Sequence, residues 1–319
     1  MALPSQFLSC DWGTSSFRLR LVSTATNEVL AEATAPTGVK HLFERGQLSG
    51  IPRHGLFAEI LTSHLTAIGL RHGLHGQPLI ISGMASSTIG WKELPYAKIP
   101  FPLDGRDLIV EEMIWESPEG LGPTYIVSGV ASATDMMRGE ECQVIGLLAQ
   151  PELQAFRENC LVILPGTHSK HLLVRYGAVI GLQTYMTGEL FDTLSKHTVL
   201  SATVDVSAGV KSFAAEFKAG LMSAADRGLA ASLFGVRARG VLGKVAPGAN
   251  AAFLSGILIG AELEWALRHV ELPVIVSAAR ELLPAYELAF SQRQNTVFTS
   301  AIDRATITAH RLILSKWRQ

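Results

Sequence analysis

The chain has 319 residues, 48% hydrophobic and 17% charged, with a formal net charge of −1, which is enough for a sizeable core and about two domains. The 27 lysines and arginines form no basic run, which argues against nucleic acid or an anionic membrane surface as partner. Cys10, Cys142 and Cys160 show no metal or disulfide spacing, the first residues lack a leader pattern, and the apolar run over 251–261 is too short to span a bilayer, so a soluble cytoplasmic protein is expected.

Residues 7–10 and 17–21 read as strands, the second alternating apolar and polar side chains at the period of a half-buried strand. Between them, 10–16 carries an acid (Asp11), a small-residue tip (Gly13, Thr14, Ser15) and hydroxyls. Such a turn suits a phosphate held by backbone N–H groups, with a carboxylate orienting Mg²⁺ through its waters. It suits equally a plain hairpin in which Asp11 caps the loop. Residues 28–35 form a third strand, and 54–71 carries a helical stripe. Residues 78–83 read as a buried strand into a glycine turn, followed by a hydroxyl-rich stretch to Trp91. Strands follow over 108–115 and 124–128, then helical spacing over 136–149.

Residues 160–167 are a second strand running into a glycine turn, with short strands over 172–174 and 178–180. From Gly188 the pattern is mostly helical, with helices over 206–222, 226–239 and 249–270. A strand over 273–277 leads into a helix over 281–291; residues 296–298 are short, and 300–317 make a closing amphipathic helix. The long Ala-rich helices between 206 and 270 are scaffold by default and could also bury a homodimer face.

Residues 8–21 can be laid on 161–174, each reading strand, Gly-Thr turn, strand, with Leu164 standing where the first copy has Asp11. Two such hairpins could grip a polyphosphate, only the first orienting metal; chance recurrence of a common turn is the alternative. No G-x-x-x-x-G-K-[ST] loop is present, so any phosphate site would rest on these turns.

Six stretches together resemble the 2-dehydro-3-deoxygalactonokinase family, a branch of the acetate and sugar kinase, heat-shock ATPase and actin superfamily. They are DWGTSSFR at 11–18, SGMASSTIGW at 82–91, MRGEECQVIG at 137–146, LPGTHSKH at 164–171, TYMTGEL at 184–190 and FLSGILIGAE at 253–262. The resemblance implies an α/β chain of two ribonuclease-H-like domains (the actin-like ATPase fold) with a cleft between them. It divides the chain into a first domain over 1–150, a second over 151–299 and a closing helix over 300–319 returning toward the first. It implies a transferase that uses ATP and Mg²⁺ to phosphorylate the 6-hydroxyl of 2-dehydro-3-deoxy-D-galactonate in D-galactonate catabolism. A kinase for another sugar or keto-deoxy sugar acid, such as the gluconate-derived epimer, and an ATP-binding sensor on the same scaffold are the alternatives.

On this resemblance Asp11 orients the metal, and Gly13, Thr14, Ser15, Gly166, Thr167 and His168 hold phosphates. Gly256, Gly260 and Ala279 lie near the adenosine. Glu140, in the first turn of a helix, is the expected base, with Glu141, Asp135 and Glu189 as rivals; acids there also complement the helix dipole without catalysis. Arg18, Lys170, Ser86, Ser87, Thr88, Trp91 and Glu189 are available for the small-molecule sugar acid, although Trp91 could as well be a buried turn closer and Arg18 an exposed strand residue. Residues 276–281 carry no glycine, where the family commonly has one after its late strand; Arg280 stacking on or flanking adenine, or a differently shaped turn, are the two readings of that departure.

Overall fold

The computed structural model describes residues 3–115, 117, 120–269, 271–291, 296–299 and 302–317. In chain order, β1 (Gln6–Trp12), β2 (Phe17–Ser23) and β3 (Val29–Ala35) precede α1 (Val39–Ser49), α2 (Arg53–Gly69) and β4 (Leu79–Gly83). Short strands β5 (Ala97–Lys98) and β6 (Phe101–Pro102) lead to β7 (Val110–Met113), β8 (Thr124–Val127), β9 (Val130–Ala131), β10 (Met136–Met137) and α3 (Glu140–Leu148). Next come β11 (Asn159–Leu164), β12 (Ser169–Arg175), β13 (Ala178–Tyr185) and α4 (Thr187–His197). The helices α5 (Ala214–Arg227), α6 (Leu229–Leu242) and α7 (Pro247–His269) follow, then β14 (Val274–Ser277), α8 (Leu283–Ala289), β15 (Thr296–Thr299) and α9 (Ile302–Trp317).

The chain divides into two compact units: Met1–Glu158 with Arg175–Gly181 and Ile302–Gln319, and Asn159–Val174 with Leu182–Ala301. The main sheet of the first runs β3-β2-β1-β4-β8-β7. β1 is antiparallel to β2 and parallel to β4, and β4 is parallel to β8. Its core gathers Leu8, Cys10, Trp12, Phe17, Phe57 and Trp91 among others. The half-buried pattern expected of 17–21 is only partly observed. Arg20 is 4% exposed, because Glu32 of β3 and Asp303 of α9 cover its guanidinium. Ser9 likewise meets His310 of α9, Oγ to Nδ1 at 2.8 Å, so α9 covers the face of β1 and β2 opposite the apolar core.

In the second unit the strand order is β15-β14-β11-β12-β13. β11 is parallel to β14, and β14 to β15. Connections of four residues from β11 to β12 and two from β12 to β13 permit only antiparallel neighbours. Both units therefore share one plan. A first strand has the next two strands on one side and later strands on the other, β4, β8 and β7 in the first unit and β14 and β15 in the second, which is the ribonuclease-H-like α/β arrangement. Its core includes Leu161, Ile163, Phe217, Val276 and Tyr286.

Several elements differ from the sequence reading: Met136–Met137, read as helical, is strand β10, and α3 begins only at Glu140. α1 has no side-chain cap and buries only Val39 and Leu42, too short a stripe to register as periodic. The helix expected over 206–222 starts at Ala214, after a 3₁₀ turn over Val210–Phe213. The expected helix ends at Val270 and Ser300 lie outside the described residues. α3 and α9 meet at Gly146, where an added Cβ would lie 1.7 Å from the Ala305 carbonyl oxygen. Gly146→Ala should therefore destabilise the protein by about 1–3 kcal/mol through overpacking, read as a drop in thermal midpoint.

Candidate active site

The first turn is shaped by the helix behind it. Gly13 N–H closes the turn onto the Ser16 carbonyl at 2.9 Å, and the N–H groups of Val39 and Lys40 reach the carbonyls of Gly13 and Thr14 at 3.0 and 3.1 Å. A Cβ on Gly38 would stand 2.3 Å from the Thr14 carbonyl oxygen, so only glycine lets the start of α1 press against the turn. Thr14 and Ser15 are exposed at the tip, beside a helix N-terminus that favours negative charge.

The second turn repeats this construction within its own unit. Glu189 N–H reaches the Thr167 carbonyl at 3.0 Å. A Cβ on Gly188 would meet the Gly166 carbonyl oxygen at 2.4 Å, so α4 presses against Gly166 and Thr167 as α1 does against Gly13 and Thr14. Behind this turn lies a cavity of about 340 Å³, bordered by Gly166, by Thr187 and Phe191 of α4, by Ser255 and Leu258 of α7, and by Tyr286 of α8. The segment misread as helix, with Val206, Ala208, Gly209 and Val210, forms another of its walls. Its apolar residues line space instead of packing on a helix face.

In the first unit, Asp11 is the next-to-last residue of β1, paired in register with Arg18 and Ser82. Gly83 (φ +88°) follows, and a Cβ there would lie 2.7 Å from the Trp12 carbonyl oxygen and 3.4 Å from Asp11 Oδ1. Gly139 (φ +111°) comes against Gly83 in turn, a Cβ on it being 3.4 Å from Gly83 Cα. This contact brings the start of α3 beside Asp11. Burial pushes the Asp11 carboxyl up, Arg18 and Arg20 pull it down, and the charges of Asp303 and Glu140 push it up again.

Adjacent acids on α3 meet different surroundings. Glu140 is half-buried, its Oε2 accepting the Arg138 N–H at 2.9 Å. Glu141 is fully buried, with Oε2 on the Gly139 N–H at 2.7 Å and Oε1 without a partner. Burial, then the Glu140 charge, push Glu141 up to about 8. A carboxyl that is sealed and protonated near neutrality is a poor acceptor for an incoming hydroxyl proton. Asp135 serves a local turn, accepting the Met136 N–H at 2.7 Å. Glu189 is in the other unit, 2.7 Å from His168 Nε2.

Several sequence candidates are engaged elsewhere. Trp91 is 4% exposed, bonded through Nε1 to His54 and packed near Trp12, Phe57 and Trp115, so it is a core residue rather than a cover for sugar. Ser86 and Ser87 are buried, their hydroxyls turned to the carbonyls of Gly83 and Met84. The Thr88 carbonyl accepts from Arg53 at 2.7 Å. Arg18 is paired with Asp303. Lys170 is buried in β12, one position out of phase with Ser169 and His171 and hence on the opposite face of that strand.

The glycines of α7 also take a different part. A Cβ on Gly256 would lie 2.1 Å from the Phe217 carbonyl oxygen, and one on Gly260 3.1 Å from Leu221 Cα. Both accommodate the crossing with α5, while Ser255, Leu258 and Ile259 of the same helix face the cavity. Ala279 starts α8 through its carbonyl, and the cavity is bordered instead by Glu281 and Leu282; Arg280 is exposed.

The sequence reading passed over Arg138. Its guanidinium stacks over Tyr96 at 4.1 Å and donates to the Ser86 carbonyl and hydroxyl at 2.6 Å, with no ion pair among the described residues. Its place just before Gly139 in MRGEEC was the available signal.

The Glu141 environment has a measurable consequence. Its carboxyl ionises ordinarily near 4.5 and here near 8, so the native state keeps a proton that the unfolded state releases between those values. Stability contributed by this group is present below the lower value and is lost as pH rises through the upper one. Glu141→Gln should flatten that decline, measured by denaturant unfolding at stepped pH.

A family model described as 2-keto-3-deoxy-galactonokinase matches residues 11–312. DgoK1 of Rhizobium meliloti (strain 1021), assigned as a 2-dehydro-3-deoxygalactonokinase, is 34% identical over 276 residues, covering 84% of this chain and 82% of its own. The 2-dehydro-3-deoxygalactonokinase of Escherichia coli (strain K12) is 29% identical over 317 residues, covering 95% of each. A crystal structure of a Sinorhizobium meliloti protein with the same assignment superposes with a TM-score of 0.81 at 32% identity, covering 98% of this chain and 100% of that one. With a family model spanning nearly its whole length and both turns in place, the chain belongs to the 2-keto-3-deoxy-galactonokinase family.

Proposed function

We propose that the protein transfers the γ-phosphoryl group of ATP to the 6-hydroxyl of 2-dehydro-3-deoxy-D-galactonate, in the cytoplasmic breakdown of D-galactonate. Family membership supports the reaction class. The observation in this chain that carries the chemistry is the Gly83–Gly139 contact, which brings Glu140 beside Asp11. Three free, buried cysteines fit a reducing compartment, and among the described residues no helix is long and apolar enough to cross a membrane.

Phosphoryl transfer asks for positioning and charge neutralisation. The N–H groups of Thr14 and Ser15 on one turn, and of Gly166, Thr167 and His168 on the other, are the proposed phosphate donors, each beside a helix N-terminus. The cavity behind the second turn is the proposed adenosine site; Gly256, Gly260 and Ala279 are not part of it.

The Glu140 charge adds to the cost of ionising Asp11, which a divalent cation would relieve. This fits Mg²⁺ held by Asp11 through water, where it would neutralise charge on the transferring group. Glu140, half-buried at the start of α3, would take the hydroxyl proton. Arg138, without an ion-pair partner among the described residues, is the proposed ligand of the sugar-acid carboxylate.

Glu140→Gln should lower kcat by about 10²–10⁴ while sugar-acid binding survives, separated by steady-state kinetics and calorimetry. Normal turnover would assign the proton to another group. Asp11→Asn should fold normally and lose activity most at low Mg²⁺, checked by titrating Mg²⁺ in the assay. ATP consumption across keto-deoxy sugar acids epimeric at C4 tests the substrate; turnover on a plain hexose alone would overturn it.

A further inference from the structure

Three stretches flanking the second turn meet on one side chain. Glu262 of α7 is 2% exposed. Its Oε1 accepts from Ser169 Oγ at 2.7 Å and from His171 Nε2 at 3.0 Å. The hydroxyl of Tyr286 reaches both oxygens, at 3.0 and 2.9 Å, and Thr187 Oγ1 donates to Oε2. A carboxylate offers about four acceptor positions, so these donors saturate it. Burial and the facing Glu262 charge push the Tyr286 hydroxyl up, which keeps it a donor.

The donors come from the elements that border the proposed nucleotide site. Ser169 directly follows the turn over 165–168. Thr187 begins α4, next to Gly188, which presses on Gly166; Thr187 and Tyr286 both border the cavity. Glu262 lies three residues beyond Ile259, another wall residue. Ser169 and His171 do not border the cavity and act on it only through this carboxylate.

We propose that Glu262 is a positioning residue for the nucleotide. By binding Ser169, His171, Thr187 and Tyr286 at once, it holds the second phosphate turn, the start of α4 and the α8 wall in a single arrangement. This rests on the reading that ATP binds at that turn and its cavity. Nothing in the inference requires Glu262 to touch ATP. A neutral amide has one acceptor oxygen and cannot satisfy all four donors, so the elements should loosen relative to each other within the unit.

The test is steady-state kinetics with ATP and sugar acid varied separately, together with nucleotide binding by calorimetry, on the full chain. Glu262→Gln should raise KM for ATP about tenfold, with KM for the sugar acid changed less than about twofold. Ser169→Ala, a buried change outside the cavity, should raise KM for ATP by about threefold or more and add little in the Glu262→Gln background. If Glu262→Gln does not fold, Ser169→Ala alone decides. ATP binding and KM unchanged in the folded variants would overturn the inference while leaving the kinase reading intact. A parallel rise in both KM values would overturn it too, as the mark of general loosening. Absence of nucleotide binding by the unaltered protein would overturn the kinase reading and this inference with it.

Discussion

Backbone pressed against backbone is what both Gly-Thr turns depend on. At Gly38 and Gly188 the start of a helix approaches a turn so closely that any side chain would collide with a carbonyl oxygen at about 2.3–2.4 Å. The contact aims the positive end of α1 at one turn and of α4 at the other. It also explains why the two hairpins are built alike although their flanks share little sequence. The shared part is a clearance, not a set of side chains.

Burial then sorts the acids. Glu140 and Glu141 are neighbours, but a step of one residue turns a helix by about 100°, so one stays half-buried and the other is sealed. The sealed one is pushed to about 8 and supports Gly139 through its amide. Asp11 and Glu140 keep solvent access and one another's company. In the second unit Glu262 is sealed as well, yet it meets four donors where Glu141 meets one backbone N–H and has an orphaned oxygen. Identical chemistry thus gives a junction in one place and a protonated support in the other.

Much of the fold was legible. The strands β1, β4, β11 and β14 carry apolar runs that lead into small residues, β2 alternates apolar and polar side chains, and α2, α7 and α9 carry stripes long enough to show a period. The repeat of 8–21 on 161–174 was visible because it lies within single hairpins. α1 was not, since it buries two residues and is held by Gly38 rather than by a cap. The false helix over 206–213 arose because its apolar residues border a cavity, and hydrophobic spacing does not say what a side chain faces.

The site was legible as a set of stretches rather than as roles. By itself the sequence determined the two strand–turn–strand pieces, the acid on the first and its absence on the second, and the family to which the motifs belong. These are local properties, carried by residues a few positions apart. Tertiary structure alone decided that Gly256 and Gly260 serve the crossing with α5, that Trp91 is core, that Arg18 is bound to Asp303, and that Ser169, His171, Thr187 and Tyr286 converge on Glu262. Each depends on contacts between residues far apart in the chain, where burial and reach, not residue type, assign the partner.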